Sequence, residues 1–228
     1  RERHLMMDGK DSICFDEWLF VKRSSDNEEL WEKNDLLPVT VAGYVDIKNF
    51  VLQGINDAKR YIKICSFIIT DLDVIKALLY KLQTSDTAIF ILTQLDDRKF
   101  STSFITDEEI EENPAQAHLD AIASLYDEGA HIRAADSVHA KFINFDGAVT
   151  LLTSANLTTP SLSLNPESGV FLKEDLSKDA ERLYDVIYKY GTTYHRFVRA
   201  GKDRRFVLQN ERTLPPELLP SIANGLLF

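Results

Sequence analysis

The chain alternates between stretches whose apolar residues recur at helical spacing and short runs that are apolar throughout. Val45 to Arg60 sets Ile47, Phe50, Val51 and Ile55 close to a helical period, which predicts an amphipathic helix. Tyr61 to Ile69 is β-branched and aromatic and reads as a buried strand. Asp71 to Leu82 follows as a helix with Asp71 as candidate N-cap, and Thr87 to Leu92 as a second buried strand. A polar, acidic connection over 95–113, containing Thr106 to Glu112, leads to a helix over Ala115 to Tyr126 that Gly129 should stop.

The second half changes character. Ala130 to Arg133 reads as a strand, and Val138 to Phe145 and Ala148 to Thr153 flank Asp146-Gly147, the strongest short-range signal for a β-hairpin. Gly169 to Leu172 reads as a further strand, and Leu176 to about Val198 as a long amphipathic helix. The tail from Lys202 holds Pro215, Pro216 and Pro220 and reads as irregular. Helices alternating with buried strands predict a layered α/β domain.

Residues 1–37 stand outside this alternation. They carry Trp18 and Trp31 among Asp16, Glu17, Asp26, Glu28, Glu29, Glu32 and Asp35, with a loop signal at Ser24 to Asn27. The expected organisation is an acidic extension over 1–37, a catalytic domain over 38–200 and a tail over 201–228. The extension is expected to modulate the site rather than build it.

Bulk properties narrow the class. A chain of 228 residues, 44% hydrophobic, can bury a substantial core without staples. Its two cysteines, Cys14 and Cys65, have no metal-ligand spacing and read as free thiols of a reducing compartment. No apolar run approaches the about 18 residues that span a bilayer, and Arg1 to Lys10 lacks the apolar core of a signal peptide; the expectation is a cytoplasmic protein without a membrane partner. A net charge of -10 counts against a uniformly basic surface but leaves room for a local basic groove.

The candidate chemistry sits on the predicted hairpin. His139 and Lys141 are two apart, so in a strand they share a face. Imidazole can attack and carry protons near neutral pH, and a neighbouring ammonium supplies charge where a phosphate oxygen gains it. Pairing of the second hairpin strand would bring Ser154 and Asn156 to the same end of the sheet as hydrogen-bond donors. Glu167, accepting from one imidazole nitrogen, would fix the tautomer and leave the other nitrogen free. His139-Ala140-Lys141, Asp146 after four residues, and Thr153-Ser154-Ala155-Asn156 after six more resemble the phospholipase D signature HxK-x4-D-x6-GSxN, with Glu167 at the downstream acid. Thr153 stands where that pattern has Gly.

The resemblance, over roughly residues 40–195, implies a mixed β-sheet flanked by helices on both faces, an α/β/α sandwich. It implies catalysis by His139, Lys141, Asn156, Glu167 and Ser154, a mainly structural Asp146, and no metal or cofactor. It implies a phosphohistidine intermediate and a second histidine acting as acid. One motif per chain then implies a homodimer with a shared site. Small single-motif members are commonly nucleases, including host-defence enzymes, so a nucleic acid substrate is expected, DNA ahead of RNA. A phospholipid or small phosphodiester hydrolase or transferase, and an inactive nucleic-acid-binding module, are the alternatives.

Other residues carry weaker signals. His118 falls on a predicted helix and is expected to be exposed, and His131 reads as packing or surface. His4 and His195 lack partners in the sequence. Ser66 could face the site or fill the core. Arg196, Arg199, Lys202, Arg204 and Arg205 form the one dense basic cluster, read either as cations at a helix C-terminus or as phosphate contacts.

Overall fold

The computed structural model of the protein describes residues 4–7, 11–14, 37–41, 44–95, 114–134, 139–190, 193–200 and 203–211. In chain order the elements are β1 (His4–Met7), β2 (Asp11–Cys14), β3 (Val39–Val41), β4 (Tyr44–Val45), α1 (Asp46–Asp57), β5 (Tyr61–Cys65), α2 (Leu72–Thr84), β6 (Ala88–Thr93), α3 (Pro114–Asp127), β7 (His131–Ala134), β8 (Phe142–Phe145), β9 (Val149–Thr153), α4 (Thr159–Ser163), β10 (Glu167–Lys173), α5 (Glu174–Tyr190), β11 (Thr193–Ala200) and β12 (Asp203–Glu211). The tryptophans and most carboxylates of the N-terminal segment, the acidic run Thr106 to Glu112 and the prolines of the tail lie outside the described residues.

Ten strands form one mixed sheet in the order β12-β11-β7-β6-β5-β8-β9-β10-β3-β4, and β1 and β2 pair separately. The β5-β6 and β6-β7 pairs are parallel, joined by crossovers that contain α2 and α3; the other pairs of the large sheet are antiparallel. Alternation within the strands then selects what each face packs. Ile62, Ile64, Ile89, Ile91, Ile143 and Leu151 bury against α1, α2 and α3 through Val51, Ile55, Leu78 and Ile122. The opposite face gives Cys65, Leu92 and Phe142 to Tyr184 of α5. Helices therefore cover both faces, the α/β sandwich expected. Each fully buried Ile or Leu contributes about 1.5–3 kcal/mol. Among the described residues, no helix is long and apolar enough to cross a membrane.

Local chemistry sets the element ends. Asp71 caps α2 by accepting from the amides of Asp73 and Val74. Gly54 lets α1 lie on the Phe145 ring, because a Cβ there would come within 2.5 Å of it. The hairpin turns at Asp146 (φ 57) and Gly147 (φ 73), with Ala148 N donating to Phe145 O at 3.0 Å. Lys63 sits on the α5 face, neutralised by Glu181 and Asp185, both at 2.6 Å.

Two sequence expectations are corrected at the C-terminal side. The helix expected to run from Leu176 to about Val198 is α5, which ends at Tyr190; Thr193–Ala200 is strand β11 instead. The segment after Lys202, expected to be irregular, contains β12, paired with β11 from Thr193↔Glu211 to Ala200↔Asp203. Gly191, Thr192 and Thr193 are the missed signal: a helix stopper followed by β-branched residues, after which Tyr194, Phe197 and Val198 favour a strand.

Asp146 holds the hairpin to the sheet. Its carboxylate accepts from the backbone amides of Lys59 (2.9 Å), Arg60 (2.8 Å) and Tyr61 (2.9 Å), the residues that open β5. Burial works to raise its pKa, but these donors and the Arg60 charge outweigh it and hold the carboxyl below the ordinary aspartate range. A folded pKa below the unfolded one gives stability that is present above the unfolded value and lost as pH falls through the folded value. We expect Asp146→Ala to cost about 2 kcal/mol at pH 7. In urea denaturation the gap to wild type should close as pH drops below about 4; a gap unchanged at low pH would contradict the charge-based clamp.

Candidate active site

The parallel strands β5, β6 and β7 end along one edge of the sheet, and β8, antiparallel to β5, starts there. The register sets Cys65 against Phe142, Phe142 against Leu152, and Thr153 against Gly169. The residues that precede β8, follow β9 and open β10 therefore meet at this edge. They are His139 to Lys141, Ser154 to Asn156, and Glu167.

The strand expected from Val138 begins only at Phe142, so His139 and Lys141 lie just before it; Val138 itself lies outside the described residues. The cause is local. Cys65 Sγ donates to Ala140 O at 3.3 Å, so that carbonyl is held by a side chain. Thr153 N still donates to Lys141 O at 3.0 Å. Lys141 Nζ donates to the His139 backbone carbonyl at 2.9 Å, so the ammonium lies along the His139 main chain. His139 is exposed and Lys141 half-buried. Burial pushes the Lys141 ammonium below the ordinary lysine range, against the Glu167 carboxylate, which favours the charged form. A partly desolvated ammonium acts more strongly on a phosphate oxygen than one in bulk water does. Burial pushes the Cys65 thiol up to about 12, against the pull of Lys141, so it stays a protonated donor.

Ser154, Glu167 and Ser168 form the second strip of the site. Ser154 Oγ donates to Glu167 Oε2, and Ser168 N donates back to Ser154 Oγ at 3.2 Å. Among the described residues the Glu167 carboxylate is thus engaged by Ser154, and no hydrogen bond joins it to His139. Ser168 O collects Ser154 N at 3.0 Å and Thr153 Oγ1 at 2.9 Å. Thr153 Oγ1 also accepts from Ala155 N at 3.1 Å. Thr153, at the position where the signature has glycine, therefore ties the Ser154–Asn156 turn to β10 through its hydroxyl.

Asn156 is held by its neighbours. Leu157 N donates to Ser66 Oγ at 3.3 Å, and Leu157 O accepts from Thr70 N and Asp71 N at 2.9 and 3.0 Å. Yet among the described residues Asn156 Oδ1 is buried without a hydrogen-bond partner, as are Thr40 Oγ1 on the strand opposite Glu167 and the Tyr184 hydroxyl in the α5-side core. Each such group costs about 1–3 kcal/mol, and a working site is one of the few settings in which that cost is tolerated. Among the described residues no three His, Cys, Asp or Glu side chains gather as metal ligands would.

His118 is a correction. Expected at the surface, it is fully buried, with Ile69 N donating to its Nδ1 at 3.0 Å and Gln94 O 2.8 Å from its Nε2. Burial pushes its pKa down to about 4, against those backbone contacts, so the ring is neutral near pH 7. The signal was present: His118 lies on the helical stripe of Ala121, Ile122 and Leu125, all buried. His131 is exposed and stacks on Phe90, with ring centroids 4.9 Å apart. Ser66 resolves toward the core, where it props Leu157 from beneath. Cys65, Ser66 and Thr153 are the supporting residues that sequence reasoning missed or left open, because their roles depend on register.

Comparison with known proteins places this geometry. The profile of the family described as "Cardiolipin synthase, PLD-like domain" matches residues 51–188. Among solved structures, Nuc from Salmonella typhimurium, a phospholipase D family member, matches with a TM-score of 0.55 at 18% identity, over 72% of this chain and 97% of that one. Phosphatidylserine synthase from Haemophilus influenzae Rd KW20 matches at 0.52 and 14% identity, over 84% and 45%. NucT from Helicobacter pylori scores 0.46 at 14% identity, over 64% and 89%. At these identities the solved structures speak to the fold. No curated protein matches in sequence.

The Thr153 hydroxyl should be worth about 1–2 kcal/mol. We expect Thr153→Val, nearly isosteric but without the hydroxyl, to lose that much in urea denaturation, and Thr153→Ser to stay within about 0.5 kcal/mol of wild type. A Thr153→Val protein as stable as wild type would remove the hydroxyl from this account.

Proposed function

The chain belongs to the phospholipase D-like family, and on that premise we propose that it is a phosphodiesterase that cleaves nucleic acid through His139, at a site completed by a second copy of the chain. The observation that carries this reading is an exposed His139 two residues before a half-buried Lys141, whose Nζ lies 2.9 Å from the His139 backbone carbonyl oxygen. An imidazole nitrogen attacks phosphorus, and the bond to the leaving oxygen breaks as a phosphohistidine forms. The leaving oxygen takes a proton from a second histidine, which then deprotonates the water that releases the phosphoryl group and restores His139. Lys141, Ser154 and Asn156 stabilise the charge on the non-bridging oxygens. In this reading Glu167, which accepts from Ser154 Oγ in the free protein, orients the imidazole once substrate binds.

The chain supplies one such motif and the chemistry uses two histidines, so the acid is His139 of a second copy across a two-fold axis. Side chains provide the nucleophile and the charge, and the reaction proceeds without a metal. Nucleic acid is the substrate favoured, because the single-motif pattern resembles that of nucleases. A specific observation favours a second reading: Leu152, next to Thr153, and Leu164, three residues before Glu167, are exposed and could rim the site for an apolar substrate such as a phospholipid. Both substrates use the same chemistry.

In EDTA, we expect the protein to cleave labelled DNA, and His139→Ala to lose about 10⁴-fold or more in rate while staying folded. Lys141→Ala should weaken both binding and rate, and Glu167→Gln should lower rate more than binding. Complete loss in EDTA with recovery on adding Mg²⁺ or Zn²⁺ would overturn the mechanism, and turnover of phospholipid vesicles in place of DNA would select the second reading. Mixed dimers of wild type and His139→Ala should lose nearly all activity. Half the wild-type rate would mean that each chain holds its own site.

A further inference from the structure

Strands β11 and β12 form a ribbon of eight and nine residues, paired over nearly their whole length. Among the described residues one pair, Thr193↔Ala134, roots it in the sheet. At about 3.4 Å per residue, the seven steps from Thr193 to Ala200 carry it about 24 Å from that root. The root lies at the C-terminal end of β7, on the edge that carries the candidate site, and β11, antiparallel to β7, leaves that edge in the direction opposite to β7. Five steps of chain separate Ala134 from His139, which limits that distance to about 18 Å.

The register gives this ribbon an unusual charge pattern. Arg199 pairs with Arg204 directly across the strands, and two residues further along Phe197 pairs with Phe206. On the alternate rungs Arg205 pairs with Val198 and Arg196 with Val207. The ribbon thus holds four arginines against one aspartate and one glutamate, in a chain of net charge -10. Like charges directly opposite each other destabilise a strand pair. A hairpin that keeps such a pair next to an aromatic one is better suited to an extended anion than to its own fold.

We propose that the β11–β12 ribbon is a nucleic-acid arm that grips the phosphate backbone of a duplex. A two-stranded ribbon fits the B-DNA major groove, which is about 12 Å wide, and a length of about 24 Å reaches across it with the root outside. Arg199, Arg204, Arg196 and Arg205 supply the positive charge along the ribbon that the phosphates meet. The arm deepens the nuclease reading above and rests on it for its substrate class, but it makes a separate claim about where the duplex is held.

The test is binding, read apart from cleavage. Full-length protein carrying His139→Ala is titrated into a fluorescein-labelled 20-base-pair duplex, with anisotropy followed at several salt concentrations. In the same background, Arg199→Ala with Arg204→Ala should weaken binding roughly tenfold and flatten the logarithmic salt dependence by close to two, about 0.9 for each phosphate no longer neutralised. Arg199→Lys with Arg204→Lys should retain most of the affinity, since a phosphate is met by the charge. Unchanged affinity and salt slope in the alanine variant would overturn the arm and leave the nuclease reading standing. Equal losses in the alanine and lysine variants, with a lowered melting temperature, would show a structural role and also overturn it. An alanine variant that loses binding to phosphatidylglycerol vesicles while keeping the duplex would assign the ribbon to lipid and overturn the arm as well. A wild-type protein that binds the duplex through the arm but cleaves no nucleic acid would overturn the nuclease reading alone.

Discussion

The grip of the Asp146 carboxylate on three consecutive backbone amides is the constraint on which the rest of the site depends. Lys59, Arg60 and Tyr61 present their N–H groups at the entrance to β5, and one carboxylate at the hairpin turn takes all three. This fixes the turn between β8 and β9 against the start of β5. Because β8 is antiparallel to β5, fixing one end of the hairpin sets which residues arrive at the other end. A slip of one residue would turn every side chain to the opposite face, taking Ile143 out of the core and Lys141 away from the site. Asp146 thus lies at the far end of the hairpin from the candidate site, yet decides which residues reach that site.

At the far end, order is imposed more tightly on the frame than on the reacting groups. The Ser168 carbonyl, the Thr153 hydroxyl and the Cys65 thiol each hold backbone or side chains around the site. His139 is exposed, and among the described residues the Asn156 oxygen is buried without a partner. A fold that satisfies its supporting groups and leaves the centre incomplete is arranged for something that comes from outside. Lys141 shows the same division, since its half-burial costs solvation that an anion would restore.

The signature was legible because its spacing is local. His139, Lys141, Asp146, Ser154 and Asn156 lie on or beside one hairpin, whose turn announces itself in Asp-Gly, and Glu167 follows on the next strand. The helices α1, α2 and α3 and the strands β5 and β6 were legible within a few residues for the same reason: periodicity and caps are short-range. What could not be read depends on distant pairing. Nothing near Cys65 reveals that its thiol will meet Ala140 O, and nothing near Thr153 that its hydroxyl will find Ser168 O. The helix expected to reach Val198 failed for a different reason, because apolar residues at strand spacing beyond Gly191 also fit a helical stripe over so short a window. His118 departs from the expectation because its place on the apolar stripe of α3 outweighs its polar type, and backbone groups of Ile69 and Gln94 satisfy the buried ring.

The central claim is that the His139 imidazole forms a covalent bond to phosphorus. The direct measurement is intact-mass analysis of the full-length protein mixed with bis(p-nitrophenyl) phosphate in EDTA and quenched with alkaline denaturant within a single turnover. The account predicts a transient mass increase of one p-nitrophenyl phosphoryl group, mapped by peptide sequencing to His139 and absent from His139→Ala. Steady release of p-nitrophenol with no adduct on His139 at any quench time, or an adduct mapped to another residue, would contradict it.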